Sequence, residues 1–168
     1  MKLLYALVLL AASASAIARI PAAFNPIVVE ASFSLSEREF DLTPAFERAR
    51  AQQKPLYVYL GANDCPPCYE YTRFLEANTQ QLQPYFAKVV VVDIRSWLKG
   101  PQIVFKVYGK AYSPKQFQRF VGDAGAISYW PYRWLLSPNG VALKHMPSGS
   151  EYKYTNVENH IEALRVPD

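Results

Sequence analysis

The pattern of hydrophobic and polar residues predicts alternating strands and helices. Residues 56–61 and 88–94 are short apolar runs rich in β-branched and aromatic side chains, which is typical of buried strands. Residues 132–136 and 141–146 are two further β-rich runs, and the Asn-Gly pair at 139–140 between them is a strong signal for a hairpin turn. The chain is therefore expected to contain two buried strands followed by a β-hairpin.

Helical segments lie between and around these strands. The first has Thr43 as its predicted N-cap, and the second follows the cysteines and runs to Pro84. The third begins at Ser113, and the last has Thr155 and Glu158 in the spacing of a capping box. The predicted order is helix, strand, helix, strand, helix, hairpin, helix, without internal repeats.

Two segments carry weaker signals. Residues 95–109 have no clear period and are assigned to no element. Residues 19–41 are punctuated by prolines and predict an extended N-terminal arm with at most one short strand. Residues 42–168 are then expected to form one domain, long enough to have a core of its own.

The N-terminus is typical of a secretory signal peptide. Lys2 precedes an apolar run of about ten residues, and small residues follow at the A-x-A spacing of a cleavage site. The run is shorter than the roughly 20 residues that span a bilayer. We expect residues 1–18 to be the signal, cleaved after Ala16 or Ala18. The mature protein is then periplasmic or secreted, with no stable membrane insertion.

The charge pattern argues against one class of partner. The formal net charge is +4, and the basic residues are scattered singly along the chain. Proteins that follow a nucleic-acid backbone carry runs or stripes of Lys and Arg. We therefore expect no nucleic-acid partner.

The only two cysteines, Cys65 and Cys68, are separated by Pro66 and Pro67. This spacing has three explanations: a structural disulfide, a metal site or a redox couple. A bridge that closes a four-residue loop removes roughly 2 kcal/mol of unfolded-state freedom, compared with roughly 3 kcal/mol for 15 residues. A bridge that served stability alone would therefore be expected to span more of the chain.

Two motifs in this order of elements resemble the thioredoxin superfamily over about residues 42–166. The segment KPLYVYLGANDCPPC resembles the strand and active-site motif of exported thioredoxin-like proteins. The segment YWPYRWLLSPNGVAL resembles the place where thioredoxins have a cis-proline before a hairpin, so Pro131 matches that proline and Trp130 the residue before it. The resemblance implies a thioredoxin-like α/β fold, with a central mixed β-sheet flanked by helices. It also implies thiol–disulfide exchange through a redox-active disulfide of Cys65 and Cys68, with no cofactor and no metal.

The residues themselves suggest separate roles for the two cysteines. If Cys65 is the N-cap of a helix, the helix terminus favours its thiolate, which is the attacking species. The two prolines remove little hydrogen bonding there, and the N–H of Cys68 is expected to bond the Cys65 sulfur. Cys68 should be more buried and should resolve the mixed disulfide. We expect protein thiol or disulfide substrates, bound beside Trp130 and Pro131, and a redox partner that the sequence does not identify.

Three positions depart from the usual thioredoxin pattern. Tyr59 stands where a buried carboxylate usually lies, six residues before the first cysteine. Asp64 replaces the usual tryptophan and places a negative charge that opposes a Cys65 thiolate. Tyr132 stands where threonine commonly follows the cis-proline. These departures weaken the case for an efficient general reductase. The two prolines, which offer no N–H donor, and the negative charge of Asp64 both oppose a very acidic thiolate, which favours a reductant or an isomerase-like enzyme over a strong oxidant.

Two alternatives keep the fold and change the function. Exported copper chaperones of this fold pair two cysteines with a distant histidine, so Cys65, Cys68 and His145 could bind Cu(I). The copper hypothesis predicts His145-dependent binding of Cu(I), whereas the enzyme hypothesis predicts exchange without metal. The second alternative is an adaptor in which the cysteines are incidental.

Overall fold

The computed structural model describes residues 19–125, 127, 129–146 and 156–166. Over these residues the chain is a mixed α/β structure with two mixed β-sheets and five α-helices. The predicted signal peptide, residues 1–18, and the predicted cap Thr155 lie outside the described residues. No described helix is both long and apolar enough to cross a membrane.

The described elements have the following bounds. The strands are β1 (Ile27–Val29), β2 (Ser32–Phe33), β3 (Glu37–Asp41), β4 (Leu56–Ala62), β5 (Val90–Ser96), β6 (Gln102–Val107), β7 (Lys110–Tyr112), β8 (Tyr132–Leu136) and β9 (Ala142–Lys144). The helices are α1 (Thr43–Gln52), α2 (Pro66–Ala77), α3 (Thr79–Phe86), α4 (Pro114–Val121) and α5 (Val157–Leu164). A short 3-10 helix at Ala22–Phe24 precedes β1.

The larger sheet has the strand order β1-β5-β4-β8-β9. Strands β1 and β4 run parallel to β5, whereas β8 is antiparallel to both β4 and β9. All seven residues of the central strand β4 are buried. A strand covered on both faces needs apolar side chains at nearly every position, which explains the continuous hydrophobic run at 56–61. The predicted strands at 56–61 and 88–94 and the hairpin are confirmed.

The smaller sheet has the order β2-β3-β6-β7 and was not predicted. Residues 95–109, assigned to no element, contain all of β6, which pairs in parallel with β3 of the N-terminal arm. The prediction of at most one short strand in the arm is wrong, because the arm contains β1, β2 and β3. Two of these strands pair with β5 and β6, far along the chain, so their local sequence carries little signal.

Two hydrophobic cores lie on opposite faces of the larger sheet. Along β4, Val58 and Leu60 face the core that contains α1, α4 and the smaller sheet. Tyr57 and Tyr59 face the core under α2, α3 and α5. Ile20 of the arm is buried in this second core, so the arm is an integral part of the fold.

Two predicted helix boundaries need correction. The N-cap of α1 is Leu42 rather than Thr43, whose N–H donates to the Asp41 carboxylate at 2.9 Å. The predicted helix that follows the cysteines is two helices, and Pro84 lies inside the second one rather than at its end.

The caps of the last two helices follow local side-chain chemistry. Ser113 caps α4 in a capping box with Gln116, as the position of Ser113 predicts. Helix α5 is capped by Asn156, whose side-chain oxygen accepts from the N–H of Glu158 and of Asn159. The N-cap is therefore Asn156, and Thr155 of the predicted capping box lies outside the described residues.

Candidate active site

The CPPC motif lies between the end of central strand β4 and the start of helix α2. Cys65 is the N-cap of α2 with extended backbone, as predicted, and Pro66 is the first helical residue. A disulfide joins Cys65 to Cys68, and their Cα atoms are 5.3 Å apart. The first turn of the helix therefore holds both sulfurs at bonding distance.

The first N–H donors of α2 bond a carbonyl oxygen and not a sulfur. The prediction that the N–H of Cys68 bonds the Cys65 sulfur is therefore wrong. The N–H of Cys68 donates to the carbonyl oxygen of Cys65 at 3.0 Å, and that of Tyr69 donates to the same oxygen at 3.3 Å. The two prolines have no N–H, so these are the first donors of the helix, and both bond the N-cap carbonyl.

The disulfide is covered. Only 1% of the Cys65 surface and 0% of the Cys68 surface are exposed, so the expected difference in burial between the two is absent. Ala62 and the two cysteines form one small buried cluster. The half-buried rings of Tyr69 and Trp130 pack against this cluster. The Cys65 sulfur is therefore accessible from solvent only when one of these covering groups moves.

The second sequence motif is brought to the cysteines by β8. The Trp130–Pro131 peptide bond is cis, as predicted. Strand β8 begins directly after it, with Tyr132 paired to Leu60 on β4. Because β4 leads into the CPPC motif, this register places Trp130 against the disulfide.

Asp64, the residue before Cys65, is engaged by the segment between β5 and β6. Its carboxylate accepts a hydrogen bond from the N–H of Leu98 at 2.6 Å. Burial lowers the pKa of Arg38 on β3, and the charge of Asp64 opposes that shift. The Asp64 carboxylate thus interacts with a donor and a cation, which reduces its expected effect on a Cys65 thiolate.

Tyr59, six residues before Cys65, is fully buried beneath α2. Its ring stacks on Tyr71 of α2 with the ring centroids 5.5 Å apart. A buried carboxylate comes from the neighbouring strand β5, where Asp93 is paired with Tyr59.

Asp93 was missed, although an aspartate inside the apolar run 88–94 is a visible signal. Burial raises its pKa to about 6, and Arg95 and the N–H of Ile20 oppose that shift. The Asp93 carboxylate lies 3.1 Å from Nε of Arg95 and 3.3 Å from the nitrogen of Ile20. This carboxyl therefore titrates closer to neutral pH than an ordinary aspartate does.

His145, the predicted third ligand of a copper site with the two cysteines, interacts with Asp123 instead. Its Nδ1 lies 3.2 Å from the carboxylate of Asp123, which also accepts a 2.7 Å hydrogen bond from the hydroxyl of Tyr132. Within the described part of the chain, no group of three or more His, Cys, Asp or Glu is placed to hold a metal ion. Cys65, Cys68 and His145 are therefore not brought together as one ligand set.

Tyr132, which directly follows Pro131, is buried. Burial raises the pKa of its hydroxyl, and Asp123 raises it further. The hydroxyl therefore stays protonated and serves as a hydrogen-bond donor to Asp123.

Comparisons of the chain with protein-family models, with curated proteins and with solved structures find no match. The function is therefore argued from the residues and their geometry.

Proposed function

We propose that this protein is an exported thiol–disulfide oxidoreductase with a thioredoxin-like fold. The observation that carries the proposal is the Cys65–Cys68 disulfide in the first turn of a helix that follows the central strand, with Trp130 packed against it. The mixed sheet, in which β8 is antiparallel to a central parallel pair, and the cis Trp130–Pro131 bond also support the resemblance. Residues 42–168 form the thioredoxin-like domain in this proposal, and the arm completes its sheets.

The reaction passes two electrons between the protein and a substrate disulfide. The Cys65 thiolate attacks one substrate sulfur, breaks the substrate S–S bond and releases the other sulfur as a thiolate that takes up a proton. Cys68 then loses its proton and attacks the Cys65 sulfur. This step releases the second substrate thiol and leaves the Cys65–Cys68 disulfide. A dithiol partner restores the reduced protein by the same exchange in reverse.

The reductive or isomerase-like direction is favoured over strong oxidation. Strong oxidants of this chemistry stabilise a very acidic thiolate, and the donors around that thiolate set its acidity. Here Pro66 and Pro67 supply no N–H, and the first donors of α2 bond the Cys65 carbonyl. A redox titration of the pair in glutathione buffers measures this balance directly.

The substrates are proteins of the periplasm or the extracellular space. Trp130, together with Pro131, forms one side of the proposed substrate site, since its indole is half-buried and packs against the disulfide. In this proposal an extended substrate segment pairs with the backbone beside Trp130, as strands add to a sheet edge.

Trapping of mixed disulfides tests the proposal. Cys68→Ala should accumulate mixed disulfides with partner proteins, because Cys65 can still attack and nothing resolves the product. Cys65→Ala should accumulate none. In the reduced wild type, Cys65 should alkylate faster than Cys68, as followed by mass spectrometry. Equal trapping by both variants, or faster alkylation of Cys68, would contradict the assigned roles.

A further inference from the structure

The segment from Trp97 to Pro101, between β5 and β6, is held from two sides beside the CPPC motif. On one side, Nη1 of Arg38 donates to the carbonyl of Trp97 at 2.8 Å, and its Nε donates to the carbonyl of Pro101 at 2.8 Å. On the other side, the N–H of Leu98 donates to Asp64, the residue before Cys65. The backbone of this segment is thus hydrogen-bonded to the residue that directly precedes Cys65, the proposed nucleophile.

The side chains of the same segment point to solvent. Trp97 is 38% exposed and Leu98 is 46% exposed, although both are large and apolar. The exposed ring of Phe33 lies 6.2 Å from that of Trp97, measured between centroids. Single exposed apolar side chains are ordinary, but neighbouring ones that form a patch are typical of binding surfaces.

The way this segment is held is costly for the fold. The Arg38 guanidinium is buried, and a buried cation is unfavourable unless donors and charges are satisfied. Its hydrogen bonds to Ser96, Trp97 and Pro101 satisfy it only while the segment keeps this path. A short loop between two strands does not need a buried arginine to hold its backbone. We therefore relate this arrangement to the position of the exposed side chains that the loop carries.

Resting on the proposed function, we propose that Arg38 and Asp64 are positioning residues that fix Trp97 and Leu98 as an apolar subsite beside the disulfide. The subsite takes substrates that carry an aliphatic or aromatic side chain next to the reacting cysteine. Pre-fixing the backbone lowers the ordering cost of binding, so the contact contributes to affinity. Trp130 packs against the cluster of the two cysteines, and Trp97 and Leu98 extend the proposed apolar surface from a second loop.

A matched pair of peptides tests the subsite. Each peptide carries one cysteine in a mixed disulfide with glutathione, followed by Leu in one peptide and Ser in the other. The reduced protein attacks either peptide in a single turnover, which yields its own disulfide, glutathione and the peptide thiol. The rate is measured against peptide concentration, so that the half-saturation concentration and the limiting rate are separated.

The wild type should prefer the Leu peptide by roughly tenfold, mainly through a lower half-saturation concentration. Trp97→Ser should reduce this preference to about twofold or less. Asp64→Ala should also reduce it, because Leu98 loses its acceptor, whereas Asp64→Asn keeps an acceptor oxygen and should retain most of the preference. Asp64 is exposed, so these variants should fold even where a change at Arg38 does not.

Val141→Ser is the matched control. Val141 is also a large exposed apolar residue, but it follows the turn at the far end of β8, since Leu136 pairs with the first residue of β4. A wild type without preference, or an equal loss in Trp97→Ser and Val141→Ser, overturns the subsite and leaves the proposed function standing. A wild type that attacks neither peptide overturns the proposed function itself.

Discussion

At the scale of single residues, a row of buried polar groups lies beneath helix α2. Asp93 on β5, Tyr59 on β4 and Arg133 on β8 occupy one register across the larger sheet. The Arg133 guanidinium lies 5.2 Å from the ring centre of Tyr71 on α2. Burial, followed by the charge of Arg133, lowers the pKa of His160 to about 3, so this histidine is neutral. The buried charges in this row are therefore those of Asp93 and Arg133.

We expect Asp93 to make the protein less stable as the pH rises. Burial raises its pKa from 3.8 to about 6, so the folded state binds more protons than the unfolded state between these values. The free energy of unfolding should therefore fall across this window, by about 2–3 kcal/mol in total. Urea denaturation of the wild type and of Asp93→Asn at pH 4 and pH 7 measures this change in the free energy of unfolding.

Asparagine keeps the size of the side chain and an acceptor for the N–H of Ile20, but it does not titrate in this range. The fall in stability should therefore be smaller in Asp93→Asn by the stated amount. Identical pH dependence in the two proteins would show that Asp93 has an ordinary pKa.

At the scale of elements, the N-terminal arm is bonded to helix α2, which carries the CPPC motif. The N–H of Arg19 donates to the hydroxyl of Thr72 on α2, and that hydroxyl lies 2.9 Å from the carbonyl of Arg19. The next residue, Ile20, is buried in the core under α2. The start of the arm thus packs under α2 in the second core. The end of the arm, β3, pairs with β6 in the smaller sheet.

We expect Ile20→Ala to lower the free energy of unfolding by about 2–4 kcal/mol, because it leaves a cavity in a closed core. Leu35→Ala, at a fully exposed leucine of the same arm, should change it by about 0.5 kcal/mol or less. Chemical denaturation followed by circular dichroism measures both. Equal effects in the two variants would mean that the arm does not contribute to the core.

At the scale of the whole molecule, the two cores on either face of the larger sheet account for its stability. The disulfide links residues only three positions apart and lies in a small cluster of its own. The fold should therefore tolerate cycling between the dithiol and the disulfide, which an exchange enzyme requires.

We expect reduction of the disulfide to lower the free energy of unfolding by about 2 kcal/mol or less, since the closed loop is short. The reduced protein should keep its tertiary structure. Guanidinium denaturation and near-ultraviolet circular dichroism, with and without reductant, measure these quantities. A reduced protein without a near-ultraviolet signal would identify a structural bridge and weaken the proposed function.

The sequence by itself determined the parts of this protein whose signals are local. The apolar runs predict β4 and β5, the Asn-Gly pair predicts the hairpin, and Cys65 before two prolines predicts the N-cap of α2. These features depend on backbone preferences and on neighbours a few residues away. The spacing of the cysteines made Cys65 and Cys68 candidate site residues, whereas Trp130 and Pro131 became candidates through the resemblance to thioredoxins.

Only the tertiary structure decided the features that depend on distant partners. The smaller sheet forms because β3 and β6 supply each other's hydrogen bonds. Both cysteines are buried in a cluster with Ala62 that Tyr69 and Trp130 cover, and His145 interacts with Asp123, which lies beside it. Arg38 reaches the segment next to Asp64 from a strand of the arm. Such contacts depend on how the whole chain packs, since no local propensity encodes the identity of a distant partner.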